Sequence, residues 1–173
     1  MPHMFRLFAY GSCMNAASLS QTLGCDAQAF YLGPARLTGW RLRFNYPSTN
    51  GEHHFCNVVP DSLHSVFGAL YQLPTVHRDA IRQREAWHKG RYREELLPVA
   101  PLHMTEVPQP ALVYVANVTS PHEGDPGARY ARLVLEGALD CALPPSYIAE
   151  LGEQIKRLPG NRNIETGFHK EKL

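Results

Sequence analysis

Met4-Phe5-Arg6-Leu7-Phe8-Ala9-Tyr10-Gly11-Ser12-Cys13-Met14-Asn15 is the stretch around which the chain is read. The apolar run from Met4 to Tyr10 has the character of a buried strand, and Gly11 breaks it. Asn15 is an N-cap for a helix over Ala16 to Leu23, with Gly24 as its stop. A strand, a tight glycine turn and a helix start in succession make a binding loop. Gly11 lacks a Cβ, so a ligand can approach the backbone. The N–H groups of the turn are then available to a carboxylate or a developing oxyanion. An ordinary strand-to-helix turn has the same composition.

Working outward, Phe30-Tyr31-Leu32-Gly33-Pro34 reads as a turn. Residues 35–46 then alternate, with Leu37, Trp40, Leu42 and Phe44 against Arg36, Thr38, Arg41 and Arg43. That is a half-buried strand, and Gly39 marks a bulge in it. After a loop over 47–54, Phe55–Val59 and Ser65–Leu73 are expected as two strands of a hairpin joined at Pro60-Asp61-Ser62. Pro74-Thr75 opens a helix with Thr75 as N-cap and Val76, Ala80, Ile81 and Arg84 at helical spacing; Gly90 closes it, and Glu85 sits in or just past its last turn. Tyr92–Val99 and Ala111–Asn117 read as strands flanking a proline-rich connection from Pro98 to Pro110. Asp125-Pro126 caps a helix with Tyr130, Leu133, Val134 and Ala138 on its apolar face. Residues 146–158 form a second helix carrying Tyr147, Ile148, Leu151 and Ile155. The expected organisation is one domain over residues 1–158 and a loosely held polar tail over 159–173. With five or six strands arriving mostly as neighbouring hairpins, a mixed, strongly curved sheet with helices outside it is favoured over a doubly wound fold.

The composition narrows the function. At 173 residues, 44% hydrophobic and 19% charged, the chain has the makeup of a soluble globular protein. Its net charge is +1 and the basic residues are scattered, which argues against a nucleic-acid partner. No apolar run approaches the roughly 20 residues of a membrane span, and no leader pattern is read, so no membrane partner and a cytoplasmic location are expected. Cys13, Cys25, Cys56 and Cys141 contain no C-x-x-C pair, and free thiols are expected. His53, His54 and Cys56 lack any known metal-ligand spacing, so no metal is expected.

Several segments, taken in order, carry a resemblance: Phe8-Ala9-Tyr10-Gly11-Ser12, Ala35 to Phe44, Asn57-Val58-Val59-Pro60 leading to Val66-Phe67-Gly68-Ala69-Leu70-Tyr71, Glu85 and Tyr92 seven apart, then Arg129-Tyr130 and Gly137-Ala138. Over about residues 5–155 the chain resembles the gamma-glutamylcyclotransferase (AIG2-like) family. The resemblance implies an α+β fold, a small mixed, closed β-barrel flanked by helices. It also implies a cofactor-free reaction on a small-molecule γ-glutamyl substrate: the α-amine attacks its own side-chain amide, releasing 5-oxoproline and an amine or amino acid. Glu85 matches the family's catalytic glutamate, as general base and then acid, with Trp87 expected to supply an apolar setting that raises its pKa. Glu94 and Glu95 are fallback carboxylates, of which at most one points inward. Leu7, Phe8, Ala9, Tyr10, Gly11, Ser12 and Cys13 match the segment that lines the substrate site, joined by Tyr130 and Tyr92.

One departure stands out. Cys13 occupies the position where the family loop usually has asparagine, so a side-chain amide gives way to a small, weakly donating thiol. This opens a rival reading, Cys13 as a nucleophile at a helix N-terminus. A second rival is a non-catalytic module that binds a small ligand on the same fold. The leaving group and the oligomeric state, a homodimer included, stay open at this point.

Overall fold

The computed structural model describes residues 1–103 and 107–160. Its core is a closed barrel with strand order β1-β3-β2-β4-β5, formed by β1 (Met4–Ala9), β2 (Tyr31–Pro47), β3 (His54–Pro74), β4 (Tyr92–Pro101) and β5 (Gln109–Ala116). Four α-helices flank it: α1 (Ala16–Leu23), α2 (Arg78–Arg84), α3 (Ala128–Asp140) and α4 (Pro145–Arg157). Neighbouring strands are antiparallel except at the closure, where β1 meets β5 in parallel at Leu7 and Leu112. The α+β class and the mixed closed barrel expected from the resemblance are what the chain adopts.

Closure depends on the long β2–β3 hairpin, which shifts register at Tyr31/Gly33, Thr38/Trp40 and Phe44/Tyr46. Each irregularity adds twist and lets a 17-residue strand bend around the barrel. Gly39, with φ of 85°, sits at the middle shift as its sequence position suggested. The expected hairpin between Phe55–Val59 and Ser65–Leu73 does not form. Both halves belong to β3 and pair with the same partner, Trp40 with Pro60 and Thr38 with Ser65, while residues 61–64 bulge outward. The bulge has local turn chemistry, the Leu63 N–H donating to Asp61 Oδ1 at 3.0 Å and His64 meeting Asp61 at 2.9 Å. A turn was therefore legible there, but the ladder continues past it.

Other boundaries move for similar reasons. Tyr31–Pro34 is the start of β2 rather than a turn, a 3-10 turn over Ala27–Phe30 preceding it. Pro98 and Pro110 face each other at the end of the β4–β5 ladder, so β4 runs on to Pro101. Thr75 caps nothing: it begins a 3-10 turn, and α2 starts three residues later. Asp125 Oδ1 accepts from the Gly127 N–H at 2.8 Å, which sets up α3 from two residues before its N-cap, and Pro126 stays outside the helix. By contrast, α1 is capped as read, Asn15 Oδ1 accepting from the Ser18 N–H at 2.9 Å and Gly24 taking φ of 69°. The tail expected over 159–173 lies outside the described residues beyond Gly160.

Both faces of β1 are buried at its C-terminal half, where Leu7, Phe8 and Ala9 lie between β3 and β5. Beyond it, a 3-10 turn over Ser12–Met14 leads into α1, and α3 packs directly on that turn. Gly137 makes the approach possible, because a Cβ there would lie 2.7 Å from the Asn15 backbone nitrogen. No helix among the described residues is long and apolar enough to cross a membrane.

Candidate active site

A narrow cavity of about 50 Å3 opens where β1 runs into the glycine turn. Leu7, Phe8, Ala9, Tyr10, Gly11, Ser12, Cys13, Glu85, Tyr92 and Tyr130, the ten residues named from the sequence, all line it. Three more lining residues were not anticipated: Cys56, Ile81 and Tyr114. A signal existed for Ile81, which stands four residues before Glu85 on the same helix face. Cys56 and Tyr114 arrive through barrel closure and have no local signal.

The aim of Glu85 follows from how α2 ends. Ile81 is fully buried and anchors the helix, and its carbonyl accepts the Glu85 N–H at 2.9 Å. Ala86 then adopts φ of 50° and ψ of 35°, a left-handed conformation costly to a residue with a Cβ, which stops the helix and turns the chain away. The carboxyl is left facing the glycine turn, where Cys13 Sγ donates to Oε1 at 3.6 Å. Burial pushes the Glu85 carboxyl above its ordinary range, against the opposing pull of the Arg84 guanidinium and the Cys13 thiol. Trp87 has no part in this: its ring packs on the Arg82 guanidinium, 4.4 Å away, and does not line the cavity.

Burial raises the Cys13 thiol to about 12, with the Glu85 carboxylate adding to the effect and Arg84 opposing it. The side chain is therefore a neutral donor. No histidine lines the cavity, so the pairing that the nucleophile reading requires is missing among the described residues.

The Cys56 peptide separates the roles of the two tyrosines. Tyr92 donates its hydroxyl proton to the Cys56 carbonyl at 2.7 Å, and its ring lies 4.4 Å from that of Tyr46. The Tyr130 hydroxyl accepts from the Cys56 N–H at 3.2 Å and also interacts with the Cys56 thiol. A Cβ on Gly11 would come within 3.1 Å of that hydroxyl and 3.2 Å of Cys56 Cβ. Glycine thus keeps the turn, the tyrosine and the barrel wall in close contact. The turn itself closes with the Met14 N–H on the Gly11 carbonyl and the Asn15 N–H on the Ser12 carbonyl, both at 3.1 Å. The N–H groups that precede them have no acceptor within the turn.

The fallback carboxylates lie elsewhere. Glu94 accepts from Arg78 at 2.7 Å, Arg82 at 2.8 Å and the Tyr114 hydroxyl at 2.8 Å. Those donors outweigh burial and hold its pKa at about 2. Glu95 pairs with Arg93 at 2.6 Å on the outside. Among the described residues no group of three or more His, Cys, Asp or Glu side chains is arranged to hold a metal ion.

Comparison with known proteins agrees with this architecture. The AIG2-like family model matches residues 65–151, half of the chain. YkqA from Bacillus subtilis superposes with a TM-score of 0.80 at 23% identity over 91% of this chain, which spans 56% of YkqA's length. A gamma-glutamyl cyclotransferase superposes with a TM-score of 0.74 at 17% identity, covering 99% of this chain and 94% of the other. A yeast gamma-glutamyl cyclotransferase specific to glutathione gives 0.60 at 12% identity, with coverage of 96% and 99%. No curated protein sequence matches significantly. At these identities the superpositions establish the fold alone. The family match contains Glu85, Tyr92 and Tyr130, whereas the Leu7–Cys13 wall lies outside it and is brought to them by the barrel. The chain belongs to the AIG2-like family.

Proposed function

We propose that the chain is an enzyme of the gamma-glutamylcyclotransferase type. The observation that carries this reading is a half-buried Glu85 whose carboxyl is bonded to a thiol rather than to a cation and faces a glycine turn across one cavity. In the proposed reaction, ionised Glu85 takes a proton from the substrate's α-ammonium. The freed nitrogen attacks the γ-carbonyl carbon and forms the new C–N bond of the ring, while charge moves onto the carbonyl oxygen. The turn N–H groups and the Tyr130 hydroxyl are the candidate donors to that oxygen. As the original amide C–N bond breaks, Glu85 returns the proton to the leaving nitrogen; it then takes the ring nitrogen's second proton and passes it to the departing amine, which leaves as an ammonium. The products are 5-oxoproline and an amine or amino acid.

Ring closure within one molecule already has a high effective molarity, so the protein is asked mainly to fold the substrate and relay protons from the attacking nitrogen to the leaving one. Burial suits Glu85 to that task, because a carboxyl held above its ordinary range is closer to the ideal base near neutral pH. No cofactor enters the scheme. A thiol-hydrolase reading lacks comparable support, since the Cys13 proton is held to about pH 12.

The test is a mass-spectrometric screen of γ-glutamyl amino acids, γ-glutamylamines and glutathione for 5-oxoproline release, with Glu85→Gln beside the wild type. Release by the wild type and not by the variant is expected, and the best substrate identifies the leaving group. Binding without turnover across the panel would replace the enzyme reading with a small-ligand sensor.

A further inference from the structure

Arg84, the residue before the proposed base, makes four hydrogen bonds, all to neutral oxygens of the glycine turn and α1. Its Nη1 donates to the Ser18 carbonyl at 3.0 Å and to Thr22 Oγ1 at 2.8 Å. Its Nη2 donates to Ser12 Oγ at 2.8 Å and to Ser18 Oγ at 2.9 Å. Adjacent residues at the end of α2, its last residue and its C-cap, thus grip adjacent residues of the turn: Arg84 holds Ser12, and Glu85 accepts from Cys13. We propose that Arg84 is a positioning residue for this site, its guanidinium fork binding α1 and the substrate turn to the end of α2 so that Glu85 faces the turn at a fixed distance beside a fixed positive charge. The catalytic part of this inference rests on the cyclotransferase reading.

Two physical arguments support it. A planar fork that satisfies four acceptors on two elements fixes their separation in a way a flexible ammonium cannot. Arg84 is also half-buried, and its bonds to neutral oxygens leave its charge uncompensated by those partners. That charge acts on the cavity. The groups facing Glu85 from the other elements are Cys13 and Tyr10 at the turn, Cys56 on β3, Tyr92 on β4, Tyr114 on β5 and Tyr130 on α3. The two thiols are pushed up to about 12 and the four phenols lie above their ordinary range. All six are neutral at working pH, so the ionised base is favoured by one nearby charge, that of Arg84, together with the hydrogen bond from the Cys13 thiol.

Arg84→Met and Arg84→Lys separate placement and charge from simple scaffolding. Two readouts are taken: the pH profile of kcat and KM for 5-oxoproline release, and the carbon-13 titration of the Glu85 carboxyl in the free protein. Arg84→Met is expected to move both the acid limb and the titration to higher pH. Its kcat at the plateau should fall about ten- to a hundredfold, more than KM rises. Arg84→Lys should leave the acid limb and titration near the wild type's and recover part of kcat. Coincident Glu85 titrations in wild type and Arg84→Met would overturn the proposal, as would an unchanged plateau kcat. Should Arg84→Met not fold, Thr22→Val removes one acceptor remote from the cavity. A severalfold loss of kcat at constant KM is then expected, and an unchanged kcat would refute the clamp. A wild type that cyclises nothing in the panel defeats the catalytic reading, while the carboxyl titration still decides whether Arg84 governs Glu85.

Discussion

Glu85 and Glu94 stand nine residues apart and meet opposite fates. Glu94 is met by two arginines and a phenol, and its pKa is held at about 2. Glu85 faces a cavity walled by apolar side chains, thiols and phenols, and its carboxyl is pushed up. Glu94 lies on strand β4 and Glu85 just past the end of α2. Donor supply makes the difference: Arg78 and Arg82 on α2 turn toward β4, while Arg84, two residues on, turns toward α1. A carboxylate saturated with charged donors is fixed and inert, whereas one that is buried and underserved is ready to exchange a proton.

The largest expected effect breaks this contrast at its reactive end. Glu85→Gln should lower the rate of 5-oxoproline release by about 10²- to 10⁴-fold, measured under single turnover, with substrate binding retained. The same variant should melt higher than the wild type above the ordinary carboxylate range. The sign follows from the raised folded-state pKa: the folded protein binds this proton more tightly than the unfolded chain, so ionised Glu85 costs stability as pH rises from its unfolded pKa to its folded one. A thermal melt that falls on substitution would contradict the assignment of Glu85 as underserved.

Next in size is Gly11→Ala, which forces a methyl within 3.1 Å of the Tyr130 hydroxyl and 3.2 Å of Cys56 Cβ. Turnover should fall about ten- to a hundredfold with a modest loss in melting temperature. Unchanged kcat/KM would show that the turn and Tyr130 do not act together.

Glu94→Gln tests the inert end. It should lower stability by about 1 kcal/mol, a modest figure because solvent screens its half-exposed arginines, and leave kcat and the acid limb unmoved. For the wild type, a folded pKa of about 2 against an ordinary 4.5 means that Glu94's contribution is complete above about pH 4.5 and is lost as pH falls toward 2. Urea melts across that window should show wild type and variant converging at the acid end. A shifted activity profile would mean that Glu94 shares the proton transfer.

The smallest expected effect is that of Cys13→Ala, a fewfold drop in kcat from losing one weak donor to Glu85. Iodoacetamide mapping near pH 8 should label the exposed Cys25 and spare the buried Cys13. Complete loss of activity in Cys13→Ala would restore the nucleophile reading.

Local chemistry alone determined several features of this protein. Asn15 and Gly24 bound α1 because capping involves only the adjoining turn. The alternation of Leu37, Leu42 and Phe44, with Gly39 between, marked a bulged strand because strand periodicity repeats within a few residues. The turn at Gly11 was legible locally, whereas Glu85 and the other site residues came from the family resemblance, and the ten residues so named line one cavity. Contacts between distant segments decided the remainder. Pro60-Asp61-Ser62 has true turn chemistry, but only the ladder to β2 shows that the strand resumes beyond it. The apolar setting of Glu85 pointed to Trp87, its near neighbour in sequence, but its surroundings come from β1, β3, β4, β5 and α3. Glu85, Glu94 and Glu95 are chemically similar, and which of them lacks charged donors depends on which helix each arginine reaches. Burial and donor count, the two quantities that set a carboxyl's pKa, are sums over neighbours far apart in the chain, and they exist only once the barrel has closed.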